Sequence, residues 1–230
     1  MPRVPFSWAG NASAFCIPPR PIYRLGLAGV VWAWPEWANA GADRTFGNRY
    51  DDCAGLYRVL YGGSRRYACY LETLARFRPD LSVYAEWEEI DGDGDHAPPG
   101  VIDADWREKR RLGTATANGE HADIGHSVWL GAFRRNLAAE AEAANCDDFD
   151  AHTLYTTSPR SLTQSVSRMV FDNQLAGIRY LSKYGDDAEC WALFETRAAI
   201  DDQKEAEIDA NDPELHDAMA VHHIVFAAQT

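Results

Sequence analysis

The segment VLYGGSRRYACYLETLARF, residues 59–77, decides how the chain begins to fold. It opens with the apolar residues of a buried strand, breaks at Gly62-Gly63, and continues with the apolar spacing of a helix that Pro79 ends. Glu72 lies on the face of this helix that carries small residues. Because a carboxylate on a packed face is costly unless it is paired or used by a substrate, Glu72 is the first candidate functional residue.

The composition is typical of one large domain. Of the 230 residues, 46% are hydrophobic, so the chain can bury roughly 70–75% of its unfolded surface without a metal or a disulfide. The five cysteines are scattered and include no C-x-x-C pair, which favours a reducing compartment, and we expect a cytoplasmic protein. Residues 1–20 lack the features of a signal peptide, and no apolar run approaches the roughly 18 residues of a membrane span, so no membrane association is expected.

The charge is strongly acidic. The formal net charge of −13 argues against a nucleic-acid partner, since phosphate backbones attract basic surfaces. Residues 201–217 hold eight acids and one lysine. We interpret them as a solvated helix or loose tail, with a docking surface for a basic partner as the alternative. His222-His223, in AVHHIVFA, are assigned to a final strand.

Further elements follow from periodicity and turn residues. Residues 161–177 predict a helix with a capping box formed by Ser161 and Gln164 and with Gly177 after its end. Residues 35–55 predict a long loop, because glycine, aspartate and asparagine recur there. Strands are expected within residues 21–34, at 82–90, at 178–182 and at 190–195.

Two segments resemble metal sites, and neither has the full ligand set. DGDGDHAPPG, residues 91–100, spaces its acids as a calcium loop does, but His96 and Ile102 stand where that loop requires glycine and glutamate. HADIGH, residues 121–126, offers two histidines and no evident third ligand. The sequence therefore predicts no bound metal.

Two arginines, two tyrosines, a glutamate and a serine form the remaining pattern. Arginine binds phosphate oxygens in a bidentate manner, and tyrosine offers a ring for stacking. A fixed carboxylate can bond ribose hydroxyls and stabilise the positive charge that develops as an N-glycosidic bond loosens. Each residue alone has an ordinary structural explanation. Only their order along the chain, taken together, indicates a site. The pieces are Tyr23-Arg24, Arg49, Tyr61, Glu72 and Ser182.

This order resembles the RES domain family, whose members include NAD-destroying toxins of bacterial toxin–antitoxin pairs. The resemblance rests on IYR and GNRYDD in the first part of the chain, on the strand–helix segment that carries Glu72, and on GIRYLS and CWALFE in the last part. It covers residues 21–78 and 161–196 and leaves 79–160 unaccounted for. It implies an α+β fold related to the ADP-ribosyltransferases, with a mixed sheet core, flanking helices, an insertion, and NAD in a central cleft.

The resemblance also implies a role for each matched residue. Arg24 and Arg49 would contact the phosphates or ribose of NAD, Tyr61 would pack against the nicotinamide side, and Glu72 would act at the nicotinamide ribose. Ser182 would line the same cleft. The implied catalytic set is Glu72, Arg49 and Ser182, and the implied substrate-binding set is Arg24, Tyr23, Tyr61 and Tyr50.

We expect a single RES-like domain over residues 1–200, with an insertion at about 79–160, and an acidic segment over 201–230 that ends in a strand. The insertion could be a lid, an oligomer surface or a substrate selector. Its tryptophans include Trp87, Trp106 and Trp129.

The favoured function is an NAD-consuming enzyme that cleaves the nicotinamide–ribose bond as a phosphorylase or glycohydrolase. The resemblance also implies a toxin with a protein antitoxin, and a stand-alone enzyme is the alternative, because the sequence contains no helix-turn-helix antitoxin segment. The same cleft could instead pass ADP-ribose to a protein, and a third hypothesis is a non-catalytic nucleotide-binding or regulatory module. Asp51-Asp52 depart from the family pattern, since two acids beside a phosphate site are unfavourable unless they point away. Trp32, Trp34 and Trp37, which we expect to be exposed, favour a homo-oligomer.

Overall fold

The computed structural model describes residues 12–88, 97–156 and 160–228. Within these ranges the chain forms an eight-stranded mixed sheet, a second sheet of two strands, and seven α-helices. The predicted α+β class, with a mixed sheet core and flanking helices, is confirmed. The strands are β1 (Phe15–Cys16), β2 (Ile22–Leu27), β3 (Val59–Gly63), β4 (Gly100–Ile102), β5 (Arg110–Asn118), β6 (His121–Asp123), β7 (Gly177–Ser182), β8 (Gly185–Phe194), β9 (Ala199–Ala206) and β10 (Ile224–Phe226). The helices are α1 (Arg66–Leu74), α2 (Leu81–Glu88), α3 (Ser127–Asn136), α4 (Ala138–Ala143), α5 (Ala151–Thr156), α6 (Ser161–Asp172) and α7 (Pro213–His222).

The large sheet brings strands from both parts of the chain together. Its order is β1-β6-β7-β8-β3-β2-β5-β9, and all neighbours are antiparallel except β6 and β7. The small sheet pairs β4 with β10 in parallel. Since β2, β3, β8 and β7 are adjacent, the motifs near residues 24, 61 and 182 meet in the middle of one sheet.

The segment at residues 59–77 folds largely as predicted. β3 buries Val59 and Leu60, and α1 begins two residues after the strand. The strand runs through Gly63, so the predicted break at the glycine pair is wrong. A Cβ atom on Gly62 would lie 2.7 Å from the carbonyl oxygen of Tyr23. Close packing of β3 against β2 therefore requires glycine at this position.

Both faces of the large sheet are covered by apolar side chains. On one face, Trp129 of α3 and Val166 of α6 share a core cluster with Phe194 of β8. On the other face, Leu193 packs in a cluster with Trp32 from the loop after β2. A third cluster joins α1 to α7. The sheet is thus the central layer of the fold.

The exposure predicted for the tryptophans near residue 35 holds for one of them. Trp32 is only 6% exposed, so its predicted exposure is wrong. Trp34 is partly buried against the same cluster. Trp37 is 39% exposed and contacts Phe46.

Residues 79–160, which the family resemblance left unaccounted for, contribute central elements. β5 lies between β2 and β9, and β6 lies between β1 and β7. Trp106 and Trp129 are buried in the core clusters. This part of the chain therefore builds the sheet and its supporting layer.

One predicted strand in that region is a helix. Residues 81–88 form α2, so the strand expected over 82–90 is wrong there, because a short apolar alternation does not distinguish the two. The calcium-like residues 91–96 and the side chain of Trp87 lie outside the described residues.

The acidic C-terminal part is folded. Residues 201–206 belong to β9, an edge strand paired with β5, so the helix or loose tail predicted there is wrong. Edge strands tolerate charges because their free side faces water. Asp212 caps α7 by accepting a hydrogen bond from a backbone N–H of the first turn. His222 ends α7 and His223 has a left-handed backbone, so the strand predicted to contain them begins only at Ile224.

Helix α6 differs from its prediction at both ends. It begins at Ser161, but Arg160 is the N-cap and no side chain caps the helix, so the predicted capping box is wrong. It ends at Asp172, and Gly177 is the first residue of β7. Within the described ranges, no helix is long and apolar enough to cross a membrane.

Candidate active site

A cavity of about 690 Å³ opens where α1 faces the middle of the large sheet. Its wall includes residues from β2, β3, β7, α1 and the loop that precedes β3. A volume of this size is typical of sites for small molecules and cofactors.

Glu72 lines this cavity and is hydrogen-bonded to Ser182, although 110 positions separate the two residues in the sequence. The Ser182 hydroxyl donates a hydrogen bond of 2.6 Å to Oε1 of Glu72. The same hydroxyl accepts a hydrogen bond of 3.1 Å from the backbone N–H of Tyr184. Because the accepted bond orients the hydroxyl, its hydrogen is committed to the carboxylate, and Glu72 is fixed at the cavity wall.

The position of Glu72 on α1 explains how the helix tolerates it. Ala68, Cys69 and Leu71 are buried, whereas Glu72 is exposed to the cavity. The carboxylate therefore borders the packed face of the helix without being enclosed by it.

Tyr61 lines the cavity from β3, and its hydroxyl is fixed at both sides. It donates to Oδ1 of Asp51 at 3.2 Å and accepts from the backbone N–H of Tyr50 at 3.0 Å. Burial, and then the charge of Asp51, raise the pKa of the Tyr61 hydroxyl well above its usual range. The tyrosine is thus a neutral, rigid part of the wall at physiological pH.

Arg24 and Arg49 reach the cavity from β2 and from the loop before β3. The Arg24 guanidinium donates to the carbonyl oxygens of Tyr61 at 2.6 Å and Val31 at 2.8 Å. Nη1 of Arg49 lies 3.4 Å from the carbonyl oxygen of Leu154. Main-chain oxygens therefore help to orient both guanidinium groups.

The two acids after Arg49 are turned away from the cavity. Asp51 is buried and accepts hydrogen bonds of 2.8 Å from the backbone N–H groups of Phe46 and Asn48. Asp52 is buried and paired with Arg168. Neither aspartate lines the cavity, and Asp51 reaches the site only through its hydrogen bond with the Tyr61 hydroxyl.

The cavity is strongly cationic although the chain is acidic. Among the described residues, one carboxylate, that of Glu72, lines it, against six basic side chains. This arrangement attracts a polyanion such as a phosphate-bearing nucleotide. The basic residues are Arg24, Arg49, Arg76, Arg110, Arg160 and Lys183.

Two cysteines also line the wall, and burial keeps both protonated. Burial raises the pKa of Cys69 to about 12 and that of Cys190 well above its usual range. Because the thiolate is the reactive form, neither residue is a nucleophile at neutral pH.

The histidines of the HADIGH segment serve the fold. His121 is buried against Trp191, and burial lowers its pKa to about 4, while Nε2 of His126 lies 3.1 Å from the hydroxyl of Ser13. In the part of the chain that the structure describes, no group of three or more His, Cys, Asp or Glu side chains is arranged to hold a metal ion.

A known family model matches most of the chain. The RES domain model matches residues 21–216. The chain belongs to the RES domain family. A solved structure with a similar course is that of the M. tuberculosis MbcT-MbcA toxin–antitoxin complex, with a TM-score of 0.45 and 14% identity over 85% of this chain and 88% of the other. No curated protein matches the chain.

Within this RES domain, four of the seven residues singled out from the sequence line the cavity. Ser182 does not line it and contacts Glu72 from behind the wall, so the implied place of Ser182 in the cleft lining is wrong. Two further residues do not line it either. Tyr50 is fully buried, packs edge-to-face on Tyr180 with ring centroids 4.9 Å apart, and supports Tyr61 through its backbone. Tyr23 precedes Arg24 in β2 and so faces the opposite side of the sheet. The four residues that line the cavity are Arg24, Arg49, Tyr61 and Glu72.

Sequence reasoning missed several residues of the wall. Arg76 lies one helical turn after Glu72, and Lys183 follows Ser182, so their spacing was a usable signal. Arg110 had no local signal, because only the pairing of β5 with β2 brings it to the cavity. Aromatic residues were missed as well. They are Phe46, Tyr155, Tyr180 and Tyr184.

Proposed function

We propose that this RES domain protein is an NAD-consuming enzyme that cleaves the nicotinamide–ribose bond and transfers ADP-ribose to phosphate or water. One observation carries the proposal. The Ser182 hydroxyl fixes the Glu72 carboxylate with a 2.6 Å hydrogen bond at the wall of a cavity whose lining includes six basic side chains and several aromatic ones.

The cavity suits a dinucleotide in charge and shape. The pyrophosphate of NAD carries negative charge, and Arg24 and Arg49 offer donors for its oxygens. The ring of Tyr61, which lines the same cavity as Glu72, offers a face to the nicotinamide end. A volume of about 690 Å³ accommodates a ligand of this class.

The reaction places positive charge beside Glu72. The bond between the nicotinamide nitrogen and C1′ of the ribose breaks, and its electron pair goes to the ring, which leaves as neutral nicotinamide. The ribose gains oxocarbenium character, which the Glu72 carboxylate stabilises. An oxygen of hydrogen phosphate or of water then forms the new bond to C1′. With water, the attacking molecule releases one proton, and the product is ADP-ribose. With hydrogen phosphate, the product is the 1″-phosphate of ADP-ribose.

Ser182 is a positioning residue in this scheme. Its donated hydrogen bond holds the carboxylate at the wall, and the backbone N–H of Tyr184 fixes Ser182 in turn. A preorganised carboxylate stabilises the transition state better than a mobile one, because it does not reorganise during the reaction.

Because RES domain members include NAD-destroying toxins, we extend the proposal to a toxin that a protein antitoxin restrains. Expression of the wild-type chain in bacteria should deplete cellular NAD and arrest growth, whereas an equally abundant Glu72→Gln variant should do neither. Growth arrest by both proteins would contradict a toxicity that depends on this site.

The test of the enzymatic proposal is nicotinamide release from NAD by the purified protein, in buffers with and without phosphate. Release that requires phosphate, together with formation of ADP-ribose 1″-phosphate, identifies a phosphorylase. Release in both buffers with ADP-ribose as product identifies a glycohydrolase. No release in either buffer contradicts the proposal and favours transfer of ADP-ribose to a protein or binding without turnover.

A further inference from the structure

Two arginines of the cavity, Arg76 and Arg110, have no role in the reaction described above. Arg76 lies one helical turn beyond Glu72, in the short 3-10 turn that continues α1. Arg110 begins β5 and pairs with Leu27 of β2. Both side chains line the cavity, so they reach it from different elements.

Neutral groups hold both guanidinium groups. Nε of Arg76 donates to the carbonyl oxygen of Thr73 at 3.3 Å. Nη1 of Arg110 lies 3.4 Å from the carbonyl oxygen of Trp106, and its guanidinium carbon sits 4.7 Å from the centre of the Trp106 ring. Within the described ranges, neither arginine forms an ion pair with a carboxylate.

Glu72 and Arg76 do not form an ion pair, although their spacing would allow one. A glutamate four residues before an arginine is the favourable arrangement for an ion pair on a helix. Here the Glu72 carboxylate is bonded to Ser182 instead, and Arg76 is directed to Thr73 and the ring of Phe77. The carboxylate and the guanidinium are therefore both available to a ligand.

The two arginines also repel each other. Burial, and after it the charge of Arg76, lower the pKa of the Arg110 guanidinium. The chain has 35 acidic residues against 22 basic ones, so acids to neutralise such a pair are abundant. The charge of Asp105 opposes this shift, but Asp105 is paired with Lys109 at 2.6 Å and does not line the cavity. Two cations at a cavity wall that have no ion pair with a carboxylate are typical of an anion site.

We infer that Arg76 and Arg110 form a subsite for a phosphate dianion, separate from the donors that bind the pyrophosphate of NAD. The identity of this phosphate rests on the proposed function. Because Arg76 is one turn from Glu72, inorganic phosphate bound here would lie beside the reacting ribose as the acceptor. The second source of the same chemistry is the 2′-phosphate of NADP.

The experiment compares Arg76→Gln and Arg110→Gln with Arg111→Gln, which makes the same charge change on β5 outside the cavity wall. The first measurement is calorimetric titration with inorganic phosphate, which needs no turnover and so remains decisive if nicotinamide release fails. The second is the ratio of NADP to NAD affinity in phosphate-free buffer. Thermal melting confirms that each variant is folded.

Loss of one bidentate contact should raise the dissociation constant for the bound phosphate at least about tenfold in both cavity variants and leave Arg111→Gln unchanged. An effect on inorganic phosphate identifies an acceptor subsite, and an effect on the NADP to NAD ratio alone identifies a 2′-phosphate subsite. If all three variants and the wild type behave alike in both titrations, the inference is wrong, whatever the turnover.

Discussion

Two sets of arginines in this RES domain differ in their partners. Outside the cavity, Arg58 is paired with Glu195, Arg168 with Asp52, and Arg179 with both Asp123 and Glu189. At the cavity, Arg24 donates to main-chain carbonyl oxygens, and Arg76 and Arg110 are held by carbonyl groups and aromatic rings. The paired group stabilises the fold, whereas we propose that the cavity group binds an anionic ligand.

The same contrast separates the carboxylates. Asp51 and Asp52 are buried and saturated with hydrogen bonds inside the loop before β3. Glu72 is exposed to the cavity and is oriented by one serine. Asp51 and Asp52 are therefore structural, whereas the exposed Glu72 carboxylate can contact a ligand.

The largest expected effect comes from removing the charge of Glu72. Glu72→Gln keeps the size and the hydrogen bond from Ser182, but it cannot stabilise an oxocarbenium ion. We expect nicotinamide release to fall by about 10²–10³-fold, as for the loss of other electrostatic groups in active sites. Glu86→Gln, on the exposed side of α2, is the matched control and should retain the wild-type rate. A near-normal rate in Glu72→Gln would remove Glu72 from the mechanism.

Breaking a paired arginine should affect stability rather than turnover. Arg168→Met leaves the fully buried carboxylate of Asp52 without its cation, which should lower the free energy of unfolding by about 3 kcal/mol. Arg134→Met removes the exposed pair with Asp148 and should cost less than about 1 kcal/mol. Urea denaturation measures both values. Equal losses of unfolding free energy would mean that the buried Arg168–Asp52 pair contributes no more to stability than the exposed Arg134–Asp148 pair.

Ser182→Ala tests the positioning of the carboxylate. It removes a hydrogen bond to a charged group, a contribution of roughly 1.5–3 kcal/mol, so kcat should fall by about 10–100-fold. Ser64 makes an equivalent 2.7 Å hydrogen bond to Glu189 outside the cavity. Ser64→Ala should leave kcat unchanged per folded molecule. A similar loss of kcat in both variants would indicate a general structural effect.

The smallest expected effect concerns Arg49. Arg49→Lys keeps the charge but replaces a planar fork with a point charge, so the dissociation constant for NAD should rise by about tenfold. Arg58→Lys makes the same change in a paired arginine outside the cavity and should leave NAD affinity as it is. Calorimetric titration with NAD measures the dissociation constant of each variant. Unchanged affinity in Arg49→Lys would make Arg49 a structural residue.

The sequence predicted the local elements of the site better than its tertiary assembly. The strand and helix around Tyr61 and Glu72 follow from apolar spacing, because local periodicity determines them. The meeting of Glu72 with Ser182 could be inferred only through the family resemblance, since no local pattern links residues 110 positions apart. Arg110 escaped prediction for the same reason, because strand pairing brings it to the cavity.

The errors have physical causes as well. Residues 201–206 were not expected in a strand because their acids have low strand propensity, but an edge strand exposes such side chains to water. Tyr50 was grouped with the substrate-binding residues because it follows Arg49, yet it is buried beneath the cavity wall and acts through its backbone. Neighbours in sequence often face opposite surroundings, and the sequence alone did not reveal which side faced the site.

The most direct test of the central claim is a crystal structure of the Glu72→Gln variant with intact NAD, which its slow turnover should preserve. We expect the nicotinamide ribose within hydrogen-bond distance of residue 72, the nicotinamide against Tyr61, and the pyrophosphate oxygens on the cavity arginines. A dinucleotide bound elsewhere, or one whose nicotinamide ribose lies far from residue 72, would contradict the central claim.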